Sequence, residues 1–376
     1  MSEEFKLDDD ITVRRISKEY NEEILDIIRN SPMVSRDLTM YAELGPDAFR
    51  LSDLQYDHYN YFGFFLKGKL EGLITFGNYQ AYVNGKIETV TELANFFLNP
   101  SLRKKRLFAK SSAFIFKEWY STNNLIYSLV LKGNNPVESL AKANMNSQEY
   151  QTLPRYRYAS KYSIMSCLLN FRKKESKRYK VRHATEKDID LIVKLLDKEM
   201  KKRLFGLPVT RQSFEKHFVE RPEFSLNNYY IAEENGTLKG CCCAWSTMGM
   251  KKNVVQKYSS RFIPLRLMAD LLSLVAGCPK LPRPGTAFST VYITDYFSDG
   301  RDPKIMEALL RAVYNEWLAK RYNLMIFAAP EEDPLLKAVK PFTHQKISTN
   351  LFIGARDEKL LDNINTNMPY FDMALV

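Results

Sequence analysis

YFGFFLKGKLEGLITF (residues 61–76) and NYYIAEENGTLKGCCCAW (residues 228–245) follow one plan: two apolar, β-like runs joined by a tight turn. Gly68 and Gly236 stand where that turn needs a residue at positive φ. The correspondence extends well beyond the hairpins. Val13 and Val181, Gly68 and Gly236, Leu70 and Leu238, and Gly72 and Gly240 are each 168 residues apart. Farther along the offset becomes 198, held by Arg103 and Arg301, Trp119 and Trp317, and Asn135-Pro136 against Asp333-Pro334. Two constant offsets carried by unrelated residue types mark a tandem duplication, with 30 extra residues in the second copy between Gly240 and Arg301.

Each copy opens with a short strand, a turn and a helix of i, i+3, i+4 apolar spacing: ITVRRISKEYNEEILDII from Ile11 and YKVRHATEKDIDLIVKLL from Tyr179. Ser17 and Thr185 occupy the expected N-cap positions. Strands and helices then alternate to the end of each copy, which predicts an α/β fold: two tandem mixed-sheet domains. The first spans residues 1–168, a basic linker 169–179, and the second 180–376 with an insertion at about 247–287. The insertion holds SSRFIPLRLMADLLSLVAG (259–277), which Arg266 and Asp270 interrupt and which is too short to span a bilayer. It predicts a buried or lid-like helix, or an interfacial helix that touches a membrane through residues 260–277. The apolar, aromatic tail NTNMPYFDMALV (365–376) is expected to dock on the body of the protein.

Composition narrows the function classes. Hydrophobic content of 45% and charged content of 26% are those of a globular chain. The N-terminus, MSEEFKLDDD, has no apolar signal core, and five Cys form no disulfide pattern, so a reducing cytoplasm is expected. Cys241, Cys242 and Cys243 alternate faces on a strand and read as buried residues, not as one tetrahedral site. His58, His183, His217 and His344 form no HxxxH or HExxH pair, so no metal is expected. The net charge of +11 predicts an anionic partner: a phosphorylated cofactor, a membrane surface or nucleic acid. Nucleic acid is the weakest of these, because RKKR (103–106) and RKKESKR (172–178) come without any recognition motif.

With these segments in this order, the chain resembles the GCN5-related N-acetyltransferase superfamily, once per copy. VRHATEKDIDLIVKLL is similar to that family's first strand and helix, with its frequent R-x-A-x-x-x-D. LNPSLRKKRLFAKSS (98–112) is similar to its cofactor segment, with Pro100, Arg103 and Leu107 in register, and RDPKIMEALL (301–310) is a second version. NNPVESLAKANMN and DPLLKAVKPF resemble its last-helix segment. The resemblance implies an acyl-coenzyme A dependent N-acyltransferase that transfers an acetyl or longer acyl group to an amine. The first copy would carry the cofactor through Leu98, Asn99, Arg103, Lys104, Lys105, Arg106, Leu107, Phe108 and Asn135. In that family a turn of backbone N–H groups and a helix N-terminus face the pyrophosphate. A carboxylate on the fourth strand often serves as general base, which points to Glu92 ahead of Glu88 here, and to Asp295 in the second copy.

The chain departs from the family at several places. Arg106 and Phe108 replace the cofactor-loop glycines in the first copy, and Lys304 and Met306 replace them in the second. Asp299 and Asp302 beside the second loop would repel a pyrophosphate, which favours the first copy. No Tyr stands at the usual acid position, occupied by Ala141 or Lys142 and by Val339 or Lys340; Tyr150, Tyr156 and Tyr158 follow slightly later. These losses define the alternative, a non-catalytic module that keeps the fold and binds a protein, membrane or nucleic-acid partner.

Overall fold

A computed structural model describes residues 4–103, 107–122, 125–134, 153–276 and 278–376. Thirteen strands form one sheet. From one edge the first copy supplies Glu4–Lys6, Ile11–Ile16, His58–Leu66, Lys69–Val83, Lys86–Leu98 and Leu125–Leu131. From the other edge the second supplies Lys180–His183, Tyr229–Glu234, Thr237–Trp245, Thr290–Ser298 and Leu324–Pro330. The middle is closed by an exchange of last strands. Arg155–Leu168, at the end of the first copy, pairs with Leu324–Pro330 of the second. His344–Ala355, at the end of the second, pairs with Leu125–Leu131 of the first. The two exchanged strands pair antiparallel with each other from His344↔Cys167 to Ala355↔Arg155. Each copy thus completes its sheet with the other's final strand.

Local chemistry explains the repeated positions. Gly68 and Gly236 adopt φ of +80° and +75° in their hairpin turns, where a Cβ would be strained. Gly72 and Gly240 are held by space instead: a Cβ would lie 2.5 Å from Leu98 Cδ2 in one copy and 2.6 Å from Ile305 Cγ2 in the other. In the second copy Arg182 makes a two-pronged ion pair with Asp188 (2.8 and 2.9 Å), and Asp188 Oδ2 also accepts from the Thr185 backbone and hydroxyl at 2.7 Å. That capping box is what R-x-A-x-x-x-D builds. In the first copy Arg14 donates to Tyr20 Oη at 2.6 Å instead. Ser17 differs from expectation: its hydroxyl turns to Glu19, a 3₁₀ turn Lys18–Tyr20 intervenes, and the helix proper is Asn21–Arg29. Cys241, Cys242 and Cys243 are all buried, with Cys242 in one core cluster and its neighbours in the other.

The insertion does not stay within its own copy. Lys251–Tyr258 pairs with Leu38–Leu44 of the first copy, flanked by Ala287–Phe288 and Met33–Val34, to make a separate four-stranded sheet. The helix Ile263–Ala276 follows that strand. It is not a buried helix: Ile263, Leu267, Met268 and Leu271 are exposed. Among the described residues no helix is long and apolar enough to cross a membrane.

Candidate functional site

Two strand pairs in the large sheet are parallel, and each breaks apart after a few residues. Lys86–Leu98 and Leu125–Leu131 are paired at Val90↔Leu125, Thr91↔Ile126 and Glu92↔Tyr127, and no farther. The cause is a β-bulge. Against Lys69–Val83 the register shifts between Thr75↔Ala94 and Leu73↔Phe97, and Asn95 sits in the left-handed region at φ +52°. Asn tolerates that conformation better than the β-formers around it. The bulge turns the strand away and opens its edge.

A cavity of about 210 Å³ fills the resulting gap. Leu93, Ala94, Phe96 and Phe108 wall one side, and Ser128–Leu131 and Tyr156 the other. A second cavity, of about 360 Å³, lies between the copies and is lined by Gln55, Tyr61, Phe97, Lys251, Tyr292 and Val376 among others. Asn95 and Leu131 line both. The bulge is therefore the point where the two cavities meet.

The turn Asn99–Arg103 that follows is tied down by side-chain hydrogen bonds. Asn99 Nδ2 and Ser101 Oγ both donate to Glu71 Oε2 (2.9 and 3.0 Å), and Arg103 Nε donates to the Leu98 carbonyl at 3.1 Å. The Asn99 hydrogen bond, with help from Lys69 and Ser101, holds the Glu71 carboxyl below its ordinary range. Leu98 is half-buried and Arg103 exposed at the turn. Leu107 and Phe108, which open the helix Leu107–Ile115, are buried in the first core; Phe108 packs on Phe96 and Phe116 with ring centroids 5.5 and 5.7 Å apart. Lys104, Lys105, Arg106 and Asn135 lie outside the described residues, as does Tyr150.

Glu92 is a different kind of residue from a solvent-facing strand carboxylate. It is 3% exposed, and its Oε2 accepts from Gln55 Nε2 (2.8 Å), Tyr127 Oη (2.9 Å) and Tyr56 Oη (3.0 Å). Tyr79 Oη lies 2.7 Å behind Tyr127 Oη. Burial pushes the Glu92 carboxyl up to about 7, against the lowering effect of the Tyr127 and Tyr56 hydrogen bonds. Its one link to the larger cavity is Gln55, which lines it. Glu88, by contrast, is exposed near the hairpin end of the strand. Tyr156 presents a buried hydroxyl beside Ser128 in the cavity wall, and burial raises its pKa against the lowering effect of Ser128. Tyr158 is exposed and lines neither cavity.

The second copy repeats the bulge and fills the gap. Thr290–Ser298 and Leu324–Pro330 pair from Thr290↔Leu324 to Ile293↔Phe327 and then part; Asp295, at φ +44°, occupies the place of Asn95. Tyr370 from the C-terminal tail accepts from the Asp295 backbone N–H at 3.0 Å, and Tyr229 donates to its carboxylate at 2.8 Å. Arg203, fully buried, stacks on Tyr296 at 4.5 Å and pairs with Glu199 at 2.9 Å. Arg301, the counterpart of Arg103, is engaged by Glu199 at 2.5 Å and by Asp333. Here the opening is filled by the chain itself.

No family model and no curated protein matches the sequence. Solved structures do. Saccharomyces cerevisiae N-myristoyltransferase with bound myristoyl-CoA aligns over 94% of this chain and 84% of its own, with 14% identity and a TM-score of 0.59. A second structure of that enzyme with myristoyl-CoA covers 93% of this chain and 80% of its own, at 13% identity and TM-score 0.59. A GCN5-related N-acetyltransferase from Anabaena variabilis covers 92% and 73%, at 10% identity and TM-score 0.46. The likeness is one of fold: the chain shares the mixed α/β architecture of N-myristoyltransferase along nearly its whole length. Asn95, Gln55, Tyr56 and Tyr127 escape sequence reasoning. The one available signal is Asn95 itself, a poor strand former inside the apolar run TELANFFL.

Proposed function

We propose that the chain is an acyl-coenzyme A dependent N-acyltransferase, with the donor held by the first copy and the amine admitted through the cavity between the copies. The observation that carries this reading is the bulge at Asn95, where the strand ladder has ended and two cavities meet. The shared fold with a protein solved with myristoyl-CoA bound supports a coenzyme A thioester as the donor. When bound, the thioester supplies the activated acyl group. The chain's residues do the rest. Among the described residues the strand edge beyond Glu92 has no partner strand on the cleft side, so its backbone N–H groups can serve where charge develops on an acyl oxygen. Leu107 and Phe108 contribute backbone N–H groups at the helix start, their side chains being committed to the core. Arg103, with Lys104, Lys105 and Arg106, supplies cations for phosphate. Leu98, Asn99 and Asn135 complete the cofactor set, Asn99 by shaping the turn through Glu71.

Proton transfer falls to two groups. Glu92 takes the proton of the amine by way of water admitted beside Gln55, with a pKa suited to a base at neutral pH. Tyr156, whose hydroxyl lies beside Ser128 in the wall of the smaller cavity, donates to the departing sulfur. The experiment is thiol-release kinetics with acetyl-, myristoyl- and palmitoyl-coenzyme A and a panel of amines. The expected rate rises through pH 7 and loses that ionisation in Glu92→Gln, while Tyr156→Phe lowers kcat with little change in KM. Absence of both turnover and acyl-coenzyme A binding would favour the non-catalytic module instead.

A further inference from the structure

The described apolar side chains of the helix Ile263–Ala276, with Phe262 just before it, divide between two sides. One is spoken for: Phe262 and Ala269 pack on the cluster of Val255, Leu281 and Phe288. The other is not. Ile263, Leu267, Met268 and Leu271 are 47%, 56%, 52% and 65% exposed, at i, i+4, i+5 and i+8, a spacing that sets them on one side of the helix. The Arg266–Asp270 ion pair, 3.7 Å long, contains the helix's only charges.

The charge around this helix has one sign. Lys257 and Arg261 precede it, Lys280 and Arg283 follow it, and all four are exposed. None makes an ion pair among the described residues. Between residues 251 and 287 the chain has seven Lys and Arg and a single carboxylate, Asp270. A face that is apolar in the middle and cationic at both ends fits a surface that is apolar beneath and anionic above. It is a poor match for a second copy of itself, because a two-fold contact would set these cations against their own images. Among the described residues these apolar side chains project from a single helix, as an interfacial helix requires.

We propose that the helix Ile263–Ala276 docks this protein on an anionic phospholipid bilayer, lying in the interface with Ile263, Leu267, Met268 and Leu271 among the acyl chains and the four flanking cations among the headgroups. Phe288, Met40 and Leu324 of the cluster under the helix also line the inter-copy cavity. Docking therefore brings that cavity close to the bilayer, a setting suited to amphiphilic donors or products. The inference stands apart from the acyl-transfer reading, because it rests on residues outside both the bulge and the cofactor loop.

The test is flotation of the full chain with vesicles of phosphatidylcholine alone or with phosphatidylserine added. Binding to the phosphatidylserine vesicles is expected, with little to phosphatidylcholine and a steep loss on raising salt. Leu267→Glu with Leu271→Glu should weaken binding by about tenfold or more. Both positions are exposed, so an unchanged circular dichroism spectrum verifies folding. A Leu267→Trp variant gives an independent readout, since its added fluorescence should be quenched by brominated lipid in the anionic vesicles. No flotation with anionic vesicles would overturn the proposal. So would flotation that the double Glu variant leaves intact, or a sedimenting dimer that this variant dissolves, which would assign the face to self-association.

Discussion

Replacing Glu92 with Gln should change how stability depends on pH. The carboxyl is 3% exposed, and burial raises it from an ordinary 4.5 to about 7. Between those pH values the folded chain holds a proton that the unfolded chain has released, so stability falls as pH rises through the window. A difference of that size corresponds to roughly 3 kcal/mol. Gln preserves an oxygen for the Tyr56 and Tyr127 hydroxyls and for Gln55, and it never ionises. Urea unfolding of both proteins at pH 5 and pH 8, followed by Trp fluorescence, reads the effect. Relative to wild type, Glu92→Gln should gain about 2–3 kcal/mol on going from the acidic to the alkaline condition. An equal stability difference at both pH values would refute the placement of Glu92 as a buried carboxylate with a raised pKa.

Further outcomes follow from other residues. Asn95→Val puts a β-branched side chain at φ +52° and should destabilise the fold by about 1–2 kcal/mol, seen as a lower Tm, together with slower thiol release. Gly77→Ala places a Cβ against the Tyr56 ring, whose hydroxyl donates to Glu92, so about 1–3 kcal/mol should be lost in urea titration. Arg301→Ala strips Glu199 and Asp333 of a shared partner and should cost about 3–5 kcal/mol, while acyl-coenzyme A affinity at the first copy is unchanged in calorimetry.

Much of the architecture is local enough to read from the chain. The hairpin glycines, the alternating buried Cys residues and the capping box at Thr185 follow from short-range rules, and the 168- and 198-residue offsets follow from duplication. The exchange of last strands does not. Arg155–Leu168 and His344–Ala355 would satisfy their alternation beside either neighbour, and only the assembled sheet decides between them. The proposed site is legible only in part. Glu92 and the turn at Leu98–Arg103 could be named, because a carboxylate in a strand and a basic turn before a helix are visible as such. The divergence that makes a cleft depends on one residue at positive φ, and the Tyr56, Tyr127 and Gln55 cage is drawn from separate elements. The plug in the second copy likewise joins Arg203, Tyr296 and Tyr370 across 167 residues of sequence. Nothing in the local composition announces that convergence.

The central claim is that the first copy alone holds an acyl-coenzyme A, in the cleft beside Asn95. Calorimetric titration of the full chain with myristoyl-coenzyme A, repeated on Ala94→Trp to fill that cleft, tests it most directly. The expected result is one molecule bound per chain and none by the variant, with circular dichroism unchanged. Two molecules per chain, or binding that survives Ala94→Trp, would contradict it.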